Sequence, residues 1–230
     1  MIPKQVLPVF TLTIPSTKKK VNYRQFTVRE EKMMLQAQES DDLQLIVNTV
    51  KEIIKACVQD VDVDTLALFD IEYIITKIRA KSSGEIIELS MRCENDETHQ
   101  RIPALIDLEK IEVKFSEGHS KTIELYDGTG VVMRYPTIND LDNLDEKEIL
   151  DAVAMCIESV YTEEEVYYAA DQTAEELRDY IESLTDAQVE KIKQNFFATM
   201  PTFKHDLEYT CRECGHKHKK TIKGLASFFA

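Results

Sequence analysis

The chain has 230 residues, 43% of them hydrophobic, with a formal net charge of −14 and five cysteines. This length and composition predict one large domain or two small ones with a core that needs no disulfides, and the odd cysteine count favours a reducing compartment such as a cytoplasm. The negative charge disfavours general nucleic-acid binding, and the absence of any apolar run near 18 residues argues against a membrane span.

Residues 1–82 are predicted to form an N-terminal hairpin followed by helices. Alternate residues of VFTLTI are large and apolar, as in a strand at a sheet edge. Thr27 and Glu30 have the spacing of a capping box, which predicts a helix start, and Ser40 is the predicted cap of a second helix. A third helix is expected over about residues 65–79. The opening MIPKQVLPVF lacks the apolar stretch of a signal peptide.

The periodicity changes after Gly84, so residues 83–136 are predicted to be an antiparallel β unit. From Ile87 to Cys93 apolar residues alternate with polar ones, as in a half-buried strand. Gly118 and Gly128 supply turns. Further strands are expected over about residues 101–108, 111–115, 121–126 and 130–135.

Residues 137–200 are predicted to be an acidic helical region. Between residues 139 and 190 there are 17 Asp or Glu against two Lys or Arg, a net charge of −15. A run of this kind is typical of a solvated helix face. Capping boxes beginning at Thr173 and Thr185 predict two helix starts. The predicted fold class is therefore α+β, with helical regions on both sides of the central β unit.

The last segment, residues 201–230, is predicted to be a hairpin that resembles a zinc knuckle. Cys211 and Cys214 have the C-x-x-C spacing with which a tight turn brings two thiolates to one ion. His216 and His218 follow at a two-residue spacing, so both would point to the same face of a strand. These four residues are the first candidate ligands of a structural zinc ion.

The central β unit offers a second choice for the remaining two ligands, Cys93 and His99. They lie in ELSMRCENDETHQ, which resembles DLEYTCRECGHKH near the C-terminus. Each segment has a strand, a cysteine, a polar turn and a histidine, with Asp96 at the position that corresponds to Cys214. The similarity is that of a degenerate repeat. A turn with free thiols and no metal is the remaining alternative.

The sequence contains no phosphate-binding loop, dinucleotide fingerprint, nucleophile elbow or H-E-x-x-H motif, so no enzymatic activity is expected. From residue 191 onward, however, there are eight Lys or Arg against three Asp or Glu. This basic tail leaves open a zinc ribbon that binds nucleic acid or assists transcription. A metalloenzyme is a further alternative. The adjacent aromatics Phe228 and Phe229 are expected either to pack in a core or to bind a partner.

Several segments resemble a known family. They are YRQFTVREEKMMLQAQES, DIEYIITKIRAKSSGE, IELYDGTGVVMRYP and the closing stretch from FFATM to GLASFF. All four are similar to segments of the baseplate hub assembly proteins of T-even-type tailed bacteriophages. The resemblance runs from Leu7 to Phe229 and is most specific at Glu30-Glu31-Lys32, at Arg79–Ser82 and at the C-x-x-C-G-H motif.

This resemblance implies a non-enzymatic assembly chaperone or hub subunit that binds other baseplate hub proteins. It would act in the cytoplasm of the infected bacterium, or remain in the virion baseplate, without a membrane partner. Glu30, Glu31 and Lys32 are expected to stabilise the first helix or to bind a partner, and Phe228 and Phe229 are expected to contact one.

Overall fold

A computed structural model of the chain describes residues 5–40, 42–96, 98–141 and 149–223. Helices and antiparallel sheets are both present, which confirms the predicted α+β class. The chain divides into two units, the first formed by Met1–Lys114 with Thr202–Ala230 and the second by Phe115–Pro201. Within the described ranges, no helix combines the length and the apolar composition needed to cross a membrane.

The elements are numbered in chain order over the described residues. The helices are α1 (Val28–Gln38), α2 (Leu43–Cys57), α3 (Leu68–Ser83), α4 (Ile149–Met155), α5 (Ala174–Ser183) and α6 (Asp186–Ile192). The strands are β1 (Val9–Thr13), β2 (Lys20–Arg24), β3 (Ile86–Met91), β4 (Ile102–Asp107), β5 (Val113–Lys114), β6 (Thr122–Tyr126), β7 (Thr129–Met133), β8 (Ile157–Tyr161), β9 (Val166–Tyr168), β10 (Thr202–Thr210) and β11 (Lys217–Lys223).

Local sequence signals account for the N-terminal elements of the first unit. β1 and β2 form the predicted antiparallel hairpin. α1 begins after Thr27, whose amide donates a 2.7 Å hydrogen bond to the Glu30 carboxylate, so the predicted capping box is confirmed. α2 has apolar residues every three or four positions and buries that stripe, with Ile53 and Ile54 at most 1% exposed.

The predicted cap of α2 is wrong. Asp42 rather than Ser40 is the N-cap, and its carboxylate accepts a 3.2 Å hydrogen bond from the Leu45 amide. The Ser40 hydroxyl instead donates to the Ala37 carbonyl at 2.9 Å, at the end of α1. Serine and aspartate are both good N-caps, so their position relative to the inter-helix turn decides which of them is used.

The later strands of the first unit bring two turns together. β3 and β4 form an antiparallel hairpin, and β10 pairs with β11 on one side and with the short β5 on the other. β4 also contacts β10. The Tyr209 hydroxyl, near the end of β10, donates a 3.1 Å hydrogen bond to the Arg92 carbonyl just after β3. The turn after β3 therefore meets the turn after β10.

The second unit is built on a four-stranded antiparallel sheet with the order β6-β7-β8-β9. Side chains of the sheet and of α4, α5 and α6 form one core. The capping boxes predicted at Thr173 and Thr185 begin α5 and α6 and are confirmed. A π-helical turn, Lys193–Phe197, continues α6 and buries Phe196. The buried core residues are Ile123, Val131, Met133, Val153, Ala154, Cys156, Ile157, Ile181, Ile192 and Phe196.

The prediction of a helical region over residues 137–200 is wrong at β8 and β9. In β8 Ile157 and Ser159 are buried while Glu158 is exposed, which is the alternation of a strand. The acidic residues 163–165 belong to the connection between these two strands. Acidic residues are as common in a solvated turn as on a solvated helix face, so composition alone could not separate the two.

The residues predicted as one β unit, 83–136, contribute to both units. β3, β4 and β5 belong to the first unit, and β6 and β7 belong to the second. Turn residues such as Gly118 and Gly128 mark where strands end, and both adopt a positive φ. They carry no information about which strands pair, because β5 takes its partner β10 from a distant part of the chain.

We predict that Gly130→Ala destabilises the second unit. A Cβ atom at this buried β7 position would lie 2.3 Å from the Ile123 carbonyl oxygen and 2.4 Å from the Tyr161 hydroxyl. Overpacking of this kind costs about 1–3 kcal/mol. The free energy of unfolding, measured by urea titration, should fall by that amount.

A double-mutant cycle controls this prediction. Tyr161→Ala removes packing from the wild type, but in the Gly130→Ala background it also removes a steric clash. It should therefore cost less in that background than in the wild type. If the two substitutions lower the free energy of unfolding additively, or if Gly130→Ala leaves the urea midpoint unchanged, the close approach of Tyr161 to Gly130 is contradicted.

Candidate metal centre

The turn between β10 and β11 presents two cysteines. The Cys211 amide donates to the His216 carbonyl at 2.9 Å, and the Gly215 amide donates to the Cys211 carbonyl at 2.9 Å. Gly215 has a φ of +69°, a conformation that glycine adopts without strain. Both cysteines lie on this tight turn, where Cys211 is buried and Cys214 is exposed.

The turn after β3 presents a third cysteine and a histidine. Cys93 is buried on this turn. The His99 amide donates to the Asp96 carbonyl at 3.3 Å, and the Asp96 carboxylate lies 3.6 Å from Nε2 of His99. These contacts orient the His99 ring so that its Nδ1 faces the second turn.

The two turns together form a cluster of four donor atoms, which we call the Cys/His cluster: Cys93, His99, Cys211 and Cys214. All four atoms lie within 4.8 Å of one another. The sulfur atoms of Cys93 and Cys214 are 3.8 Å apart, and the Cys211 sulfur is 3.5 Å from Nδ1 of His99. Tetrahedral ligands about 2.3 Å from one ion are about 3.8 Å apart. The cluster therefore has the size and the donors of a metal site.

The sulfur atoms of the cluster differ in proton affinity. Desolvation raises the pKa of Cys93, but hydrogen bonds from His99 and from two backbone amides outweigh it and lower that pKa to about 6. The His216 amide lowers the pKa of Cys214, but desolvation and the neighbouring sulfur atoms outweigh it and raise that pKa. The first thiolate to form thus disfavours a second one, and a cation between them would remove this repulsion.

The remaining histidines of the tail lie beside the cluster. His218 is buried and stacks on Tyr209, with its Nε2 3.4 Å from the Cys93 sulfur. Its Nδ1 has no hydrogen-bond partner among the described residues and lies 3.8 Å from the Glu94 carboxylate. His216 is exposed and contacts the His218 ring.

The four-donor group contains the second of the two ligand pairs considered from sequence, and it does not contain the first. The structure brings Cys211 and Cys214 together with Cys93 and His99, the second pair considered, and it places His216 and His218 outside the four-donor group. The similarity of the two 13-residue segments was the sequence signal for this arrangement. The hydrogen bond from the Gln100 amide to the Glu213 carboxylate, 2.6 Å long, had no sequence signal.

The candidate partner-binding residues occupy different environments. Glu30 is 6% exposed and pairs with Arg24 at 2.9 Å, so it acts within the fold. Glu31 and Lys32 are exposed on α1. The remaining two candidates, Phe228 and Phe229, lie outside the described residues.

Comparisons with known proteins match nearly the whole chain. The family described as T4 bacteriophage base plate protein matches residues 7–230. The baseplate hub assembly protein gp26 of Enterobacteria phage T4 is 27% identical over 210 residues, which cover 91% of this chain and 92% of that protein. No solved structure matches the chain. The similarity to this relative therefore spans both proteins rather than one segment.

We predict that Glu30→Gln destabilises the first unit and that Glu31→Gln does not. The first change removes the charged partner of Arg24 and weakens the acceptor of the Thr27 amide. Loss of such a cap and pair costs about 1–2 kcal/mol. The adjacent Glu31 is exposed, so its substitution should stay within about 0.5 kcal/mol. Urea unfolding at pH 7 measures both changes.

The deficit of Glu30→Gln should depend on pH. Desolvation raises the pKa of Glu30, but hydrogen bonds from Arg24 and Thr27 outweigh it and lower that pKa from 4.5 to about 2. A carboxylate of this kind stabilises the fold above its unfolded pKa, and the stabilisation disappears as the pH falls through the folded pKa. The difference between wild type and variant should shrink as the pH falls from 4.5 to about 2. A constant difference would contradict this ion pair.

Proposed function

Because the chain belongs to the T4 bacteriophage base plate protein family, we propose that it is an assembly factor of the baseplate hub. The family membership confirms the resemblance predicted from sequence and supports a role in the phage baseplate. The relative gp26 is described as a baseplate hub assembly protein. In this proposal the present chain binds other hub proteins while the hub forms, in the cytoplasm of the infected bacterium, and catalyses no reaction.

The observation that carries the proposal is an exposed strand, which we call the β9 edge (Val166–Tyr168). β9 lies at one end of the strand order and pairs with β8. All three side chains are large and exposed, at 48%, 44% and 57%. A sheet edge can pair with an extended segment of another chain, and aromatic side chains anchor interfaces. The β9 edge therefore suits protein binding.

Charge supports a particular kind of partner for the β9 edge. Three exposed glutamates, residues 163–165, directly precede the strand. They belong to the stretch from 139 to 190 that has a net charge of −15. Such a surface attracts basic segments and repels acidic ones, which affects the rate and the specificity of binding. The expected partner segment on a hub protein is therefore extended and basic.

We also propose that the ion suited to the Cys/His cluster is zinc and that its role is structural. Three thiols and one imidazole are donors that structural zinc sites use. Four protein ligands complete a tetrahedron and leave no position for a substrate. This chemistry gives the metalloenzyme alternative no support.

The exposed lysines of β11 favour one alternative function, a zinc ribbon that binds nucleic acid. Lys217, Lys219 and Lys220 follow the Cys/His cluster on this strand and are exposed. Lys219 lies 3.8 Å from Glu208, which reduces its effect on a phosphate. An electrophoretic shift of DNA or RNA that weakens steeply with salt would support this alternative. No shift at low salt would exclude it.

The protein content of purified virions distinguishes an assembly chaperone from a hub subunit. A chaperone leaves the hub, so mass spectrometry of purified virions should not detect it. A hub subunit remains in the baseplate and should be present at the copy number of its neighbours.

We predict that Tyr167→Ser combined with Tyr168→Ser weakens binding to hub proteins. Affinity-tagged protein is recovered from infected cells, and mass spectrometry identifies the phage proteins that accompany it. The double variant should recover at least about tenfold less hub protein, because an anchoring aromatic contributes about 2 kcal/mol or more to an interface.

The matched control is Leu105→Ser, because Leu105 is 64% exposed on β4 in the other unit. Circular dichroism verifies that both variants are folded. Equal recovery by the double variant and the wild type would contradict the β9 edge as the docking site. A wild type that recovers no hub protein would contradict the hub role itself.

A further inference from the structure

The four residues of the Cys/His cluster come from two hairpins that are distant in the sequence. Cys93 and His99 lie between β3 and β4, and Cys211 and Cys214 lie between β10 and β11. From the described contacts, we infer that these four side chains together bind one zinc ion, which clasps the two hairpins to each other. The inference rests on the structural zinc proposed above, and it assigns the ligands and what they connect.

Convergence of all four donors carries the ligand assignment. Two sulfur atoms 3.8 Å apart are also in ordinary van der Waals contact, so one such pair indicates nothing by itself. Here three sulfurs and one ring nitrogen lie mutually within 4.8 Å. Four donors this close can all reach one ion, as the four ligands of a structural zinc site do.

The surroundings of His99 resemble those of a histidine that binds zinc. The Asp96 carboxylate lies 3.6 Å from Nε2 of His99, on the side of the ring away from the sulfurs. A carboxylate on this side of the ring favours the tautomer that leaves Nδ1 unprotonated, the form in which Nδ1 can bind a metal.

His218 is the competing nitrogen ligand, and its geometry makes it a supporting residue instead. Its Nε2 approaches Cys93 at 3.4 Å, but it does not belong to the group of four mutually close donors. Its ring is held against Tyr209 by stacking. His218 therefore packs beside the ion. His216, which is exposed, contacts the His218 ring.

A zinc ion bound by both hairpins would hold them together, whereas a zinc ion bound only by the β10–β11 hairpin would not. Apart from contacts of the cysteines and histidines, the polar links described between the two hairpins include the bonds from Tyr209 to the Arg92 carbonyl and from the Gln100 amide to Glu213. A zinc ion with two ligands on each hairpin would connect them far more firmly. Removal of zinc should therefore loosen the β3–β4 hairpin as well as the β10–β11 hairpin.

Zinc content and affinity test the ligand set on the full-length protein. Purified without chelator, the wild type should hold one zinc per chain by elemental mass spectrometry. Cys93→Ser and His99→Ala should each weaken zinc binding at least 100-fold in competition with a chromophoric chelator. His216→Ala, the matched control in the same turn region, should retain the wild-type affinity, and His218→Ala should retain one zinc per chain.

Hydrogen exchange tests the clasp without any substitution, so a variant that fails to fold does not block the test. Chelation of the wild type should speed amide exchange at least tenfold in both hairpins and leave the second unit unchanged. Faster exchange in the β10–β11 hairpin alone, or zinc lost by His216→Ala and retained by Cys93→Ser, would overturn the clasp while leaving the structural zinc in place. A protein that binds neither zinc nor cobalt would overturn both. Recovery of hub proteins is measured separately and is independent of either result.

Discussion

The contact between β4 and β10 is the constraint on which the first unit depends. It joins a hairpin from the middle of the sequence to the hairpin near the C-terminus, and it makes two turns meet at one end. Each turn alone offers two donor atoms, which is too few for a stable zinc site. Only their meeting produces the four-donor Cys/His cluster. A zinc ion bound there as proposed would order the two hairpins, because metal binding contributes directly to folding.

The two units differ in what they offer a partner. The first contains the Cys/His cluster and a core formed largely by α2 and α3, both of which bury isoleucines. The second contains the whole acidic stretch, residues 139–190, and the exposed β9 edge. In an assembly factor, a stable unit and a charged, aromatic binding surface are separate requirements. A role in the baseplate requires selective binding to other baseplate proteins. In the proposed role, the negative surface would attract a basic partner, and the exposed tyrosines beside it would contact that partner in the interface.

Local features of this fold could be predicted from sequence, and non-local ones could not. The capping boxes at Thr27, Thr173 and Thr185 were predictable because every interacting atom lies within four residues. The cap of α2 was assigned to Ser40 because two good caps lie two residues apart, and only the chain path selects Asp42. β8 and β9 were missed because dense acidic composition concealed a short alternating pattern.

The ligand set illustrates the same limit. The C-x-x-C motif identified Cys211 and Cys214 as candidate ligands, since two donors on one tight turn are a local property. Cys93 and His99 join them through pairing and packing of strands that are more than 100 residues apart. The hydrophobic periodicity of a single sequence does not reveal such long-range contacts. The similarity of the two turn segments was the available signal, and both segments contribute donors to the cluster.

The most direct test of the central claim is X-ray absorption at the zinc edge of the purified wild-type protein. We predict a first shell of three sulfur atoms at about 2.3 Å and one nitrogen at about 2.0–2.1 Å. A shell of two sulfurs and two nitrogens, or one made only of nitrogen and oxygen, would contradict the joining of the two hairpins through one ion.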